Sequence, residues 1–170
     1  MLLSSRCEMR PPIDADGEEL IRLWTDPTVR VFLGGSLSKD EAAARVSDLL
    51  STRENVWVVT LIGARAREPV IGLVALHSHH DGEDVEISYS FLPEFTGQGL
   101  AAEAVDRILQ HALFHMGLQS LVAEAQAANL PSCRMLERIG FACVGETQRF
   151  GAYQRIYRFP VPPAASSVDI

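Results

Sequence analysis

The stretch Phe95-Thr-Gly-Gln-Gly-Leu-Ala-Ala-Glu-Ala104 connects a strand-like segment to a long helix-like one. Gly97 and Gly99 permit a tight backbone turn and a close approach to a ligand, where a side chain would obstruct it. Apolar residues then recur with helical period at Leu100, Ala101, Ala104, Val105, Ile108, Leu109, Ala112, Leu113 and Met116. The stretch therefore predicts a glycine turn that opens an amphipathic helix.

A turn of this kind points unpaired backbone N–H groups outward, at the positive end of the helix dipole. Such an arrangement binds phosphate. A Gly-x-Gly before a helix is also common as a simple tight connection. On this segment alone, the two interpretations are equally good.

The length and charge of the chain limit the remaining possibilities. A chain of 170 residues suits one domain over residues 1–170, which buries roughly 70% of its unfolded surface. The small and polar segment 162–170 is expected to be a loose tail. The formal net charge of -7 argues against nucleic acid and anionic membranes as partners.

The first twelve residues lack the apolar core of a secretory signal, and no apolar run approaches the roughly 18 residues of a membrane span. The three cysteines, Cys7, Cys133 and Cys143, form no Cys-x-x-Cys pair. A cytoplasmic protein with reduced thiols is therefore expected.

Strand-like and helix-like patterns alternate along the chain. Strands are predicted over residues 5–10, 56–62, 70–77, 84–92, 120–125, 141–150 and 153–161. Helices are predicted over residues 14–24, 38–50, 100–116 and 128–139, the second of them opened by the capping box Ser38-Lys-Asp-Glu41. A short apolar piece over 29–33 follows a break at Asp26-Pro27. The order predicts a mixed α/β (α+β) protein with a largely antiparallel sheet.

Two segments on either side of the glycine turn carry a resemblance to a known family. They are Glu86-Ile-Ser-Tyr-Ser-Phe-Leu-Pro-Glu94 and Asn129-Leu-Pro-Ser-Cys-Arg-Met-Leu-Glu-Arg-Ile-Gly-Phe141, and Met9-Arg10-Pro11, Asp26-Pro27-Thr-Val and Leu33-Gly-Gly precede them. Together with the turn they resemble the GNAT superfamily of acyl-CoA-dependent N-acetyltransferases, over roughly residues 6–160. The similarity is greatest to the branch that acetylates the N-terminal amine of ribosomal proteins.

The resemblance implies a GNAT fold, in which helices flank a mixed, mostly antiparallel twisted sheet of about six or seven strands with splayed central strands. It also implies that the glycine turn binds the pyrophosphate of acetyl-CoA. The backbone N–H groups that would do so belong to Gly97, Gln98, Gly99, Leu100, Ala101 and Ala102. The Gln or Arg that commonly opens this loop in the family is replaced by Thr96, so binding should rest on the backbone.

The same resemblance gives roles to the strand before the turn. The backbone N–H of Phe91 or Leu92 would hold the acetyl carbonyl, as in an oxyanion hole. Glu86 would accept the proton of the amine, directly or through water. The alternative for Glu86 is an ordinary solvated strand residue.

Asn129 and Ser132 would act on the other part of the cofactor. The amide of Asn129 would bind the pantetheine arm, although Asn before a helix often serves only as a cap. Many relatives protonate the leaving thiolate with a Tyr seven residues later, but that position is Leu136 here. Ser132 is therefore the candidate proton donor or thiolate stabiliser, and its alternative is a first-turn Ser bonded to backbone.

Three other features are interpreted as structural rather than functional. The histidine-rich segment 77–84 lacks fixed ligand spacing and is expected to be a solvated loop. His111 and His115 lack the glutamate of a His-Glu-x-x-His motif and are expected on a helix surface. Cys133 lies among apolar neighbours and is expected to be packed in the core. Hence we expect no metal and no acetyl-cysteine intermediate.

The predicted function is transfer of the acetyl group of acetyl-CoA to a primary amine, by direct attack in a ternary complex. A ribosomal-type protein N-terminal α-amine is the leading acceptor. A small amine such as a polyamine, an aminoglycoside or an amino acid is the first alternative, and a non-catalytic acyl-CoA-binding module is the second. The protein is expected to be a monomer or a homodimer.

Overall fold

The computed structural model describes residues 1–63 and 68–160, so the predicted tail at 162–170 lies outside the described residues. Eight strands form one sheet in the described part of the chain. They are β1 (Leu2–Leu3), β2 (Cys7–Arg10), β3 (Val56–Leu61), β4 (Val70–Ser78), β5 (Val85–Phe91), β6 (Ser120–Gln126), β7 (Ala142–Arg149) and β8 (Ala152–Pro160).

The order of the strands across the sheet is β1-β2-β3-β4-β5-β6-β8-β7. Every neighbouring pair is antiparallel except β5 and β6, which run parallel. These two strands share a single register pair, Glu86 with Val122. No further residues of these two strands pair toward their carboxyl ends, and we call this unpaired stretch between them the β5–β6 gap.

Five helices complete the described fold: α1 (Gly17–Thr25), α2 (Pro27–Arg30), α3 (Lys39–Thr52), α4 (Leu100–Phe114) and α5 (Leu130–Ile139). The predicted capping box is confirmed, because Ser38 Oγ accepts from the Glu41 backbone N–H while the Glu41 carboxylate accepts from the Ser38 backbone N–H. The side chain of Asp26 caps α2 by accepting from two backbone N–H groups.

Side-chain alternation gives the central strands two chemically different faces. Phe91 packs in one core with residues of α4 and α5 such as Leu100 and Leu136. Ser90 lies opposite Leu73, which packs with residues of α1 and α3 in a second core. Consequently the odd-numbered side chains of β5 lie on the α4–α5 face, and the even-numbered ones, Glu86 among them, lie on the α1–α3 face.

The predicted architecture is confirmed, with one more strand than expected. β1 has only two residues and pairs with β2, and a segment that short shows no periodicity in sequence. The short apolar piece predicted over 29–33 overlaps helix α2, which the Asp26 cap and Pro27 in the first turn begin. None of the helices described is both long and apolar enough to cross a membrane.

Gly72 on β4 lies directly against the side chain of Phe91, at the end of β5. A Cβ atom built on Gly72 would lie 2.5 Å from the ring of Phe91, its cross-strand partner. The ring therefore rests directly on the backbone of β4, in space that any side chain would occupy.

We expect Gly72→Ala to lower the free energy of unfolding by about 1–3 kcal/mol, because the added methyl group overpacks the Phe91 ring. The matched control is Gly17→Ala, since no atom lies within 4 Å of the Cβ built there and its φ is -55°. Urea unfolding of both variants is the measurement. Equal midpoints for the two variants would show that Phe91 adjusts without cost.

Candidate active site

The glycine turn before α4 presents a row of free backbone donors. Gly97 and Gly99 have φ values of +73° and +80°, so both adopt the left-handed conformation that favours glycine. The Thr96 N–H donates to the Pro93 carbonyl at 3.2 Å, and the Glu103 N–H donates to the Gly99 carbonyl at 3.1 Å. Residues 97–102 lie between these two donors, and their backbone N–H groups donate to no residue in the described part of the chain. Six adjacent free donors at a helix N-terminus suit a pyrophosphate.

The side chains of this turn are directed into its own structure. Thr96 Oγ1 donates to the Pro93 carbonyl at 2.8 Å, and Gln98 Nε2 donates to the Glu94 carbonyl at 2.9 Å. Both side chains therefore have partners within the turn. The backbone N–H groups remain as the donors available to a phosphate.

The β5–β6 gap exposes backbone donors from one strand. The Leu92 N–H donates to the Ile71 carbonyl of β4 at 2.9 Å, so it is not available to a ligand, contrary to one of the two expectations. Because N–H groups alternate in direction along a strand, those of Tyr89 and Phe91 point toward β6. Of the two residues predicted to hold the acetyl carbonyl, Phe91 has the N–H that faces the gap.

Asn129 and Ser132 lie at the first turn of α5, beside this gap. The Asn129 Oδ1 atom accepts from the Ser132 backbone N–H at 3.3 Å, so Asn129 is the N-cap of the helix. Capping uses the amide oxygen only. The Asn129 Nδ2 group donates to no described residue and is free to bind a ligand carbonyl.

The Ser132 hydroxyl has a partner, Tyr89, that no pattern in the sequence indicated. Tyr89 Oη lies 2.6 Å from Ser132 Oγ, on the α4–α5 face. Burial raises the pKa of Tyr89 to about 12, so its hydroxyl remains protonated at physiological pH. Tyr89 alternates with Ile87 and Phe91 and therefore resembles a core residue in sequence. Leu136, at the position of the family's Tyr, is fully buried in the core.

Glu86 lies on the opposite face and is buried, which excludes the alternative of a solvated strand residue. Its exposed fraction is 8%, and its Oε2 atom lies 2.9 Å from His79 Nδ1. His79 is also buried, so the expectation of a solvated loop is wrong for this histidine. The reason is a tight turn in which the His79 N–H donates to the Asp84 carbonyl, and which folds His79 back onto β5.

Glu124 on β6, a partly buried residue, completes a group of three side chains with the buried Glu86 and His79. One carboxylate oxygen each of Glu86 and Glu124 and one ring nitrogen of His79 lie within 4.8 Å of one another. We call these three residues the carboxylate cluster. Glu124 Oε2 accepts from Arg149 Nη1 at 2.8 Å. No sequence motif links Glu124 to Glu86; the link comes from the pairing of Glu86 with Val122, two residues before Glu124.

A family model described as an acetyltransferase (GNAT) domain matches residues 6–142. The chain belongs to the GNAT acetyltransferase family. A relative from Bacillus subtilis, the uncharacterized N-acetyltransferase YnaD, is 27% identical over 126 residues, which cover 74% of this chain and 72% of YnaD. The chain is thus an N-acetyltransferase of the GNAT type.

Solved GNAT structures resemble this chain in fold. An acetyltransferase from Salmonella typhimurium that modifies the N-terminal serine of ribosomal protein L7/L12 has a TM-score of 0.75 at 16% identity, covering 94% of this chain and 97% of that one. A spermidine N-acetyltransferase from Vibrio cholerae, solved with CoA and spermine, has a TM-score of 0.73 at 21% identity, covering 91% and 94%. These neighbours use two classes of acceptor, so the comparison establishes the fold and leaves the acceptor open.

Gly99→Val is expected to abolish CoA binding, because a β-branched residue cannot adopt φ near +80° without moving the free N–H groups. Thr96→Ala should change the free energy of CoA binding by no more than about 0.5 kcal/mol, as for other exposed side chains. Isothermal titration with CoA measures both, and circular dichroism confirms folding. Similar losses in the two variants would show that the Thr96 side chain contributes to the site.

Proposed function

We propose that this GNAT enzyme transfers the acetyl group of acetyl-CoA to a protein N-terminal α-amine, by direct attack in a ternary complex. The observation that carries the proposal is the division of groups across the β5–β6 gap. Phosphate donors and the Tyr89–Ser132 hydroxyl pair lie on the α4–α5 side. Buried Glu86 lies on the α1–α3 side. A thioester and an amine can therefore meet at the gap from opposite faces.

The groups that bind acetyl-CoA are backbone N–H groups and one side-chain amide. Acetyl-CoA provides an acetyl group activated as a thioester. The N–H groups of residues 97–102 hold its pyrophosphate, and Asn129 Nδ2 binds the pantetheine arm. The Phe91 N–H donates to the acetyl carbonyl and stabilises the negative charge that develops there.

Glu86 removes the first proton from the amine. An N-terminal α-amine has a pKa of about 7.7–8.0, so near neutral pH it loses this proton to a carboxylate more readily than a lysine or polyamine nitrogen does. His79 Nδ1 lies 2.9 Å from Glu86 Oε2, and His79 Nε2 lies 3.8 Å from the exposed carboxylate of Asp81. Glu86, His79 and Asp81 thus form a path along which the proton moves from the buried Glu86 to solvent.

Ser132 acts on the departing sulfur. As the new C–N bond forms and the C–S bond breaks, the nitrogen loses its second proton and the sulfur gains one. The Ser132 hydroxyl donates a hydrogen bond to the sulfur, and Tyr89 Oη supports Ser132 from 2.6 Å away. The overall reaction yields the amide, CoA and one proton, which leaves through Glu86.

A polyamine acceptor is the second candidate. The net charge of -7 and the carboxylate cluster favour a cationic substrate, and the Vibrio cholerae neighbour is a spermidine N-acetyltransferase. The N-terminal acceptor is preferred because motifs over most of the chain resemble the ribosomal-protein branch. An α-amine also has a lower pKa than a polyamine nitrogen, so a weak base such as Glu86 suffices to deprotonate it.

The test is a CoA-release assay over N-terminal peptides, spermidine, aminoglycosides and amino acids, with mass spectrometry to locate the acetyl group. We expect turnover on free α-amines and none on the same peptides with a blocked N-terminus and an internal Lys. Turnover confined to polyamines would replace the proposed acceptor. Tight acetyl-CoA binding without turnover on any acceptor would overturn the proposal.

On the accepted substrate, Glu86→Gln should lower the rate mainly below the pKa of the acceptor amine. There the amine arrives protonated and needs the base, whereas above that pKa the free amine is abundant. Glu83→Gln, in the exposed part of the neighbouring turn, is the matched control. A pH–rate profile unchanged by Glu86→Gln would remove this residue from the mechanism.

Ser132→Ala should lower kcat by about 100-fold, the usual loss when a positioned proton donor is removed. Tyr89→Phe should have a smaller effect, and the double variant should be no slower than Ser132→Ala, because Tyr89 acts through Ser132. Steady-state kinetics at saturating acetyl-CoA make the comparison. Additive losses would show that the two hydroxyls act separately.

A further inference from the structure

The unusual feature of the carboxylate cluster is a buried carboxylate oxygen without a donor. The Glu124 side chain is only 8% exposed, and its Oε1 atom accepts no hydrogen bond from any residue in the described part of the chain. A buried acceptor left unpaired is costly, and more so when it belongs to a charged group. The atom therefore has the character of a binding group whose donor comes from a ligand.

The position of Glu124 indicates where that ligand lies. Leu121, Ala123 and Ala125 of β6 pack in the core on the α4–α5 face. Glu124 alternates with them and so shares the α1–α3 face with Glu86, next to the point where β5 and β6 separate. The donor that completes Glu124 would thus lie beside the group that accepts the amine proton.

The charges around the cluster select the class of ligand. Glu86 and Glu124 contribute two negative charges and Arg149, bonded to Glu124, contributes one positive charge. The formal charges of these three side chains sum to one negative charge. A single alkylammonium group neutralises it, whereas a divalent metal ion would leave an excess positive charge beside the Arg149 guanidinium.

We propose that Glu124 binds the acceptor as its ammonium ion and holds the nitrogen between Glu124 Oε1 and Glu86. This inference rests on the proposed function and adds a specificity-determining residue to it. Glu124 receives one N–H of the ammonium as a charge-assisted hydrogen bond, and Glu86 takes another proton outright. The substrate class is a primary amine with one positive charge at the reacting end, which an N-terminal α-ammonium satisfies.

The decisive variant is Glu124→Gln, which keeps the size of the side chain and removes its charge. We expect the KM for the acceptor to rise at least tenfold, as on loss of a hydrogen bond to a charged group, while the KM for acetyl-CoA stays unchanged. The matched control is Glu146→Gln, because Glu146 also pairs with an arginine in this sheet but is half exposed. An acceptor KM in Glu124→Gln equal to that of the control would overturn the inference.

A second measurement separates recognition of charge from general damage. Isothermal titration of the CoA-saturated enzyme compares a peptide with a free N-terminus against the same peptide carrying a neutral N-formyl group. The wild-type enzyme should bind the free peptide at least tenfold more tightly, and Glu124→Gln should bind both alike. Equal affinities in the wild-type enzyme would contradict an ammonium site.

The double variant Glu124→Gln with Arg149→Gln removes the ion pair as a whole and leaves no unpaired guanidinium. It should show the same loss of charge discrimination, and it decides the question if the single variant does not fold. Failure of the proposed function is recognised separately, because the wild-type enzyme would then turn over no N-terminal peptide. Wild-type turnover with unchanged acceptor KM in both variants would reject the role of Glu124 alone.

Discussion

The parallel pairing of β5 with β6 through a single residue pair is the constraint on which the site depends. Parallel neighbours need a crossover connection, and here that connection is α4. The helix must therefore begin where β5 ends, which places its free N–H groups next to the β5–β6 gap. The early end of the pairing also leaves the Phe91 N–H without a partner strand. In the proposed mechanism, cofactor binding and carbonyl binding are thus two results of one feature of the sheet.

The alternation of side chains along β5 divides the chemistry between the two faces of the sheet. Tyr89 reaches Ser132 on one face, whereas Glu86 meets His79 on the other. The groups proposed to act on the sulfur and those proposed to act on the amine are consequently kept apart by the backbone itself. The faces on which Tyr89 and Glu86 lie are fixed by the register of β5 in the sheet.

Features encoded by neighbouring residues could be predicted from the sequence, and features created by strand register could not. The positive φ of Gly99 and the Ser38 capping box follow from local backbone chemistry. The contact between Tyr89 and Ser132 joins residues 43 positions apart. Glu124 and Glu86 are likewise far apart in sequence and are brought together by the register of β5 and β6. Whether Phe91 or Leu92 has a free N–H depends on the hydrogen bonds between β4 and β5.

The close contact between Gly72 and the Phe91 ring has a consequence for how such an enzyme can diversify. The ring of Phe91, the proposed carbonyl donor, rests on the backbone of β4 with no room for a side chain between them. Under the proposed function, helices α1 and α2 and the turn at 79–84 can change in sequence, and the acceptor with them, while the thioester remains in the same place. In this architecture, substrate choice and chemical competence can evolve on separate parts of the chain.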